Sequence, residues 1–172
     1  MRVFTLGTGD RHPLDFSRIL AKYGIESVFD IRRLPLHEEG FDRDALTRLC
    51  AAAGVGYVFL GNELGIEHNY RAWAASEPLG RWLGIIRRKL EQRAVCLLCR
   101  EPSPERCRRR VIAEKLAADG VEVIHILDDV RQWRPAPGDP GLLAALERAR
   151  AADRPGRPPR RGRKQGHGHR PR

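Results

Sequence analysis

Through the first 126 residues, short apolar runs alternate with segments whose apolar positions recur every three or four residues. The runs are Val3–Leu6, Ile25–Ile31, Tyr57–Leu60, Ala94–Cys99 and Val121–Ile126. They are aliphatic and do not alternate with polar residues, as strands covered on both faces should not. The helix-period segments fall at Pro13–Tyr23, Asp42–Ala53, Glu77–Glu91 and Glu105–Ala118. Pro13 stands near the start of the first and Gly24 stops it; Asp42 opens the second and Gly54 ends it; Asp119-Gly120 closes the fourth. Proline at a helix start and glycine just past its end follow from the missing N–H of one and the left-handed freedom of the other. Strand–helix alternation of this kind predicts an α/β fold: three layers, a mainly parallel five-stranded sheet, and helices on both faces joined by right-handed crossovers. A loop carrying Pro135, Pro137, Gly138 and Pro140 and a short helix over Gly141–Ala152 are expected to close a single domain of residues 1–152.

The remaining residues, 153–172, hold no apolar side chain except proline, so they are expected to be a disordered tail. Charge separates the two parts sharply. The chain carries a net +10, of which the tail supplies eight Arg and Lys against one Asp. Arg and Lys interleaved with Gly and Pro suit an extended segment lying on nucleic-acid phosphates or in a minor groove. Arg157, Arg160, Arg161, Arg163 and Lys164 are the candidate contacts, and DNA or RNA the candidate partner. Gly156-Arg157-Pro158 and Arg161-Gly162-Arg163-Lys164 are similar to the basic core of AT-hook segments, although the Arg-Gly-Arg-Pro order is not intact.

No apolar run approaches the roughly 18 residues that span a bilayer, and residues 1–7 enter a strand pattern without a signal-like apolar segment. A cytoplasmic protein with no membrane partner is expected. Cys50, Cys96, Cys99 and Cys107 are then expected as free thiols, with Cys50 and Cys96 packed in the core.

In parallel sheets ligands bind beyond the carboxyl ends of the strands. Those ends lead here to Gly7-Thr8-Gly9, Asp30-Ile31-Arg32-Arg33, Gly61-Asn62-Glu63-Leu64-Gly65 and Cys99-Arg100-Glu101. Cys99 ends a strand, and Cys107 sits in the first turn of the helix that follows, where the helix dipole favours anions and thiolates. A phosphatase-like loop would need Cys-x5-Arg, but the sixth residue after Cys99 is Glu105, so Arg106 arrives one place late. Cys96 and Cys99 lie within one strand and point to opposite faces, which excludes a CxxC redox or zinc pair. No cofactor and no metal is expected from ligand spacing.

The candidate acid–base and thiol residues are therefore Asp30, Glu101, Cys99 and Cys107. Thr5, Gly7, Thr8, Arg32, Arg33, Glu63 and Arg108 are the candidate ligand-binding residues. They frame an anion or phosphate site for a nucleotide or nucleic-acid end, whether or not catalysis occurs there. A non-catalytic nucleic-acid module acting through its tail is the alternative, and a cysteine-dependent phosphatase or sulfurtransferase a third. His68, Tyr70 and Trp73 lie in a segment, 66–76, that suits either a lid or a surface insertion. His12, His37 and His125 are isolated histidines.

Five features together resemble the family known as domain of unknown function 488. They are Thr5-Leu6-Gly7-Thr8-Gly9, Asp30-Ile31-Arg32 with Pro35, Phe41, Tyr57-x-x-Leu60-Gly61, and Cys99-x-Glu101-x5-Cys107. The resemblance runs from about residue 3 to 126 and implies a compact α/β domain with no established reaction. The family's Thr-Ile-Gly-His-Ser is here Thr-Leu-Gly-Thr-Gly, and its Cys-His-Arg is Cys107-Arg108-Arg109, so two family histidines are replaced.

Overall fold

A computed structural model of the chain describes residues 1–9, 11–35, 38–65, 70–105, 107–136, 139, 141 and 144–145. His37, His68, Arg106, the basic tail with its five candidate contacts, and most of the helix expected over 141–152 lie outside the described residues.

The strands are β1 (Arg2–Gly7), β2 (Ser27–Asp30), β3 (Gly56–Phe59), β4 (Val95–Cys99), β5 (Glu122–Ile126) and β6 (Gln132–Trp133). They form one sheet in the order β3-β2-β4-β1-β5-β6, parallel except for the β5–β6 pair. The five expected strands are present in the expected parallel sense. The sixth, β6, is a two-residue antiparallel edge in the Pro/Gly-rich segment after Leu127, too short to announce itself by pattern. The helices are α1 (Pro13–Lys22), α2 (Arg43–Ala52), α3 (Gly61–Leu64), α4 (Tyr70–Ala74), α5 (Glu77–Leu90) and α6 (Arg108–Ala118). No helix among the described residues is long and apolar enough to cross a membrane.

Side chains alternate across the sheet and so split the core in two. Phe4, Leu6, Val28, Cys96, Leu98, Ile124 and Ile126 face α1 and α2; Val3, Phe29, Val95, Leu97, Cys99 and Val123 face α4, α5 and α6. Cys96 and Cys99 thus lie in different cores, as strand geometry requires, and all four cysteines are free and buried. β3 departs from the expected double burial: it is an edge strand, and Val58 is 41% exposed. Asp42 caps α2 by accepting from the Ala45 N–H at 2.8 Å, and His12 caps α1 through Leu14, so this histidine has a structural task.

Chain order determines where the loops meet. The chain runs outward from β1 to β2 and β3, then returns to insert β4 between β2 and β1 before placing β5 on the far side. Such a reversal opens a crevice at the carboxyl ends of the central strands. The loops after β1, β2 and β4 are therefore neighbours, while the turn after β3 lies one strand farther out. The ladder continues into those loops: Thr8 N–H donates to Cys99 O at 2.9 Å, Gly9 N–H to Arg100 O at 2.8 Å, and Ile31 N–H to Leu98 O at 2.9 Å.

Two glycines mark backbone-on-backbone contacts at this end. A Cβ on Gly7 would stand 1.9 Å from the Glu101 carbonyl oxygen, and one on Gly61 would stand 2.1 Å from that of Arg32. Both obstacles are main chain and have no rotamer to yield. Gly7→Ala is expected to destabilise the fold by about 1–3 kcal/mol through overpacking. Gly80→Ala, inside α5 with no atom near the added methyl, is expected to stabilise it by about 0.5–1 kcal/mol. Urea unfolding of both variants checks the pair; a neutral Gly7→Ala contradicts the close approach.

Candidate functional site

The loop after β4 turns its acidic and sulfur groups toward one another. Cys99 and Cys107 each point Sγ at the same Glu101 oxygen, Oε2, at 3.0 Å, and the three ligand atoms lie within 4.8 Å of one another. Both sulfurs belong to residues only 1% exposed. Cys107 is the residue before α6, one position outside the helix, because the first helical residue is Arg108 rather than Glu105. The hydrogen bond with Cys107, burial, and the nearby Cys107 and Glu101 charges together push the Cys99 thiol well above its ordinary range. Burial raises the Glu101 carboxyl, but the bonds from Cys107 and Cys99 outweigh it and leave the group below its usual value. The strand-end thiol is thus held protonated, contrary to what a helix N-terminus alone would favour.

Arg109 holds this loop in place. It is fully buried, donates through Nη1 to Glu101 O at 2.5 Å and through Nη2 to Pro102 O at 2.9 Å, and sets Nη1 3.4 Å from Cys107 Sγ. A buried guanidinium without acceptors would be costly, and the turn of the loop presents two carbonyls to it.

The loop after β2 is organised by Asp30. Its Oδ1 accepts from the Arg32 main-chain N–H at 3.0 Å and Nε at 2.9 Å; its Oδ2 accepts from Arg32 Nη2 at 2.8 Å and the Tyr57 hydroxyl at 2.8 Å. A carboxylate offers about four acceptor positions, and all are filled. Asp30 therefore orients Arg32 and has no lone pair left for abstracting a proton. Burial lowers the Arg32 guanidinium, yet the hydrogen bond and charge of Asp30 overcome that and raise it above its ordinary value. The remaining Arg32 nitrogen, Nη1, donates to Glu38 Oε2 at 2.9 Å, an oxygen that also accepts from the Thr8 hydroxyl at 2.5 Å.

A cavity of about 220 Å³ opens between these loops, lined by Arg32, Arg33, Leu34, Glu38, Cys99, Arg100, Glu101 and Arg108. Four guanidinium groups thus face two carboxylates. Arg108 Nε and Nη1 are shut off from solvent and have no hydrogen-bond partner. A larger adjoining cavity, about 660 Å³, shares Glu38, Arg100 and Glu101 and adds Arg11, Phe41 and Pro102.

Of the sequence candidates, Arg32, Arg33, Arg108, Cys99 and Glu101 line the small cavity, and Cys107 reaches it through Glu101. Thr8 acts on Glu38, and Gly7 lets the Glu101 carbonyl pass over it. Glu63 does not join them: it is exposed on α3, where Gly61 and Gly65 close on the backbone of Arg32 and Arg33. Those glycines let α3 pack directly on the arginine loop. Tyr70 and Trp73 lie on α4, and Trp73 is packed in the core with α6 and α5. Glu38, Arg100 and Arg109 were not among the candidates. Glu38 follows Arg32 by six residues in a loop, a spacing with no pattern value, and Arg109 sat hidden within an Arg-Arg-Arg run that reads as a solvated face.

A family model described as Domain of unknown function DUF488 matches residues 14–116, more than half the chain, and the chain belongs to that family. The match contains the Asp30–Arg32 and Cys99–Cys107 elements; β1 and β5 flank it. No curated protein and no solved structure matches.

Beside the site, on α6's side of the sheet, Thr5 is spent on His125, with Oγ1 2.7 Å from Nδ1, and does not reach the cavity. The imidazole stacks on Trp133, and the Arg110 guanidinium lies over the same indole. Burial, then the charges of Arg109 and Arg110, lower His125 to about 3. Its folded value lies below the ordinary value of about 6.5, so unfolding takes up a proton throughout that window and stability drops as pH falls through it. The slope approaches about 1.4 kcal/mol per pH unit. Between pH 7 and 5, urea unfolding is expected to show the parent losing up to about 2 kcal/mol more than His125→Gln; equal slopes would refute a neutral buried His125.

Proposed function

We propose that this DUF488 member binds a phosphate-bearing ligand, a nucleotide or nucleic-acid end, with its phosphate seated in the small cavity between Arg32 and Arg108. The observation that carries this reading is the Arg108 guanidinium, whose Nε and Nη1 are withdrawn from water without an acceptor. Buried donors of that kind are costly unless a ligand completes them. Arginine forks suit phosphate oxygens, and Asp30 pre-orients one of them so that little side-chain freedom is lost on binding. A volume near 220 Å³ falls below the roughly 300–1,000 Å³ of drug-sized sites and suits a phosphoryl group. The adjoining cavity, with Phe41 and Pro102 among its walls, gives room for the rest of a nucleotide.

Calorimetry with inorganic phosphate and a panel of mononucleotides tests the reading. Arg108→Ala and Asp30→Asn are each expected to weaken binding about 10- to 100-fold, the loss of one charged hydrogen bond or of its alignment. Glu63→Gln, on the exposed turn outside the cavity, is expected to leave affinity unchanged. No binding by any of these anions, or binding indifferent to Arg108, refutes the site.

The concentration of charge at residues 153–172 favours a second activity, sequence-tolerant binding of nucleic acid by the tail. Deleting 153–172 is expected to abolish salt-sensitive nucleic-acid affinity while phosphate binding to the body persists. Retained, equally salt-sensitive affinity would remove the tail from the account.

A further inference from the structure

The thiol–carboxylate cluster is not needed by phosphate binding, and its geometry suggests a use of its own. We infer that Cys99, Glu101 and Cys107 form a three-ligand site for a thiolate-seeking divalent cation, zinc by preference, with its fourth coordination position open to the small cavity. This stands on the cluster alone and holds whether or not phosphate binds beside it.

Two sulfurs and one carboxylate oxygen within 4.8 Å of one another need little movement to surround a cation that takes Zn–S at roughly 2.3 Å and Zn–O at roughly 2.0–2.2 Å. Soft sulfur ligands select zinc over magnesium or calcium. Both sulfurs now converge on a single carboxylate oxygen, Glu101 Oε2, so two S–H donors compete for one acceptor at the place a cation would sit.

The support around the cluster is rigid. Cys99 is fixed in β4 by its register with Gly7, Cys107 by the start of α6, and the intervening turn by Arg109 on the Glu101 and Pro102 carbonyls. Two thiolates and a carboxylate on a divalent cation carry one net negative charge. The Arg109 guanidinium, 3.4 Å from Cys107 Sγ, lies where it would balance that charge.

Position distinguishes the site from a purely structural one. Structural zinc sites close with four protein ligands, whereas catalytic ones keep three and leave the fourth place to water or substrate. Among the described residues no fourth His, Cys, Asp or Glu joins the cluster, and Cys99 and Glu101 are themselves walls of the cavity. Sequence spacing did not point here because the ligands come as Cys-x-Glu-x5-Cys, with no CxxC or Cys–His pair.

Cobalt(II) titration of the reduced full-length chain tests the inference. One equivalent is expected to produce thiolate-to-cobalt charge-transfer absorption in the near ultraviolet, which zinc then displaces. Cys96→Ala, on the opposite face of the sheet, should retain the band; Cys107→Ala should lose it, and Glu101→Gln should require more cobalt to reach it. Zinc should also protect Cys99 and Cys107 from alkylation in the unmutated protein, a readout that does not depend on any variant folding. Cobalt bound without sulfur charge transfer, as imidazoles such as His167 and His169 would hold it, overturns the site. A band that survives Cys107→Ala, or alkylation indifferent to zinc, does so as well.

Discussion

The insertion of β4 between β2 and β1 is the constraint on which the rest of this structure depends. It makes neighbours of three loops that are far apart in sequence: Gly7–Gly9, Ile31–Arg33 and Cys99–Glu101. Strands β1, β2 and β4 are short, four to six residues, so their carboxyl ends are reached within one layer of core. Main-chain bonds then carry the sheet past its formal end, and Gly7 lets the third loop lie directly on the first. α6 leaves from this same place, which brings Cys107, Arg108 and Arg109 back to the loop they follow.

Charge burial explains much of the local detail. Arg32 and Arg109 are almost wholly inside, where an unpaired guanidinium would be strongly unfavourable. Each is held by a different means, although Arg109 Nε is left without a hydrogen-bond partner. Arg32 takes a carboxylate from its own strand end together with Glu38, whereas Arg109 takes two peptide carbonyls. The first device sets the direction of a side chain facing the cavity; the second sets the shape of the loop that carries the sulfurs. Buried ion pairs of this sort add little net stability against an apolar core, but they permit few alternative arrangements. That trade suits a place where atoms must be held rather than merely packed. His125 follows the same pattern beside α6, kept neutral between Thr5 and Trp133 next to two arginines.

Much of the architecture was legible in the sequence because it is written in two periodicities. Strands β1, β2, β4 and β5 and helices α1, α2 and α5 declare themselves through unalternating apolar runs, helix-period stripes and Pro or Gly punctuation. β6 has two residues and no pattern, and α6 starts at Arg108, three residues past Glu105, after a turn in which Cys107 N–H donates to Pro104 O. Within the site, Asp30–Arg32 and Cys99–Glu101–Cys107 were visible as residue types at strand ends. Their relations were not. That Asp30 spends all its acceptors on Arg32 and Tyr57, and that both thiols meet one Glu101 oxygen, depend on side-chain directions that no spacing encodes. Thr5 and Glu63 belonged to the right elements at the wrong depth or on the wrong strand. Arg109 shows the converse difficulty: burial turned a residue resembling surface charge into the anchor of the loop.

Diffraction from crystals soaked with tungstate, a heavy oxyanion in the shape of phosphate, tests the central claim most directly, since it locates the anion and the three loops together. Anomalous density is expected in the small cavity, within hydrogen-bond reach of Arg108 Nε and Nη1 and facing Arg32. Tungstate ordered only at other surfaces, with the cavity between those two arginines left without it, would contradict the account.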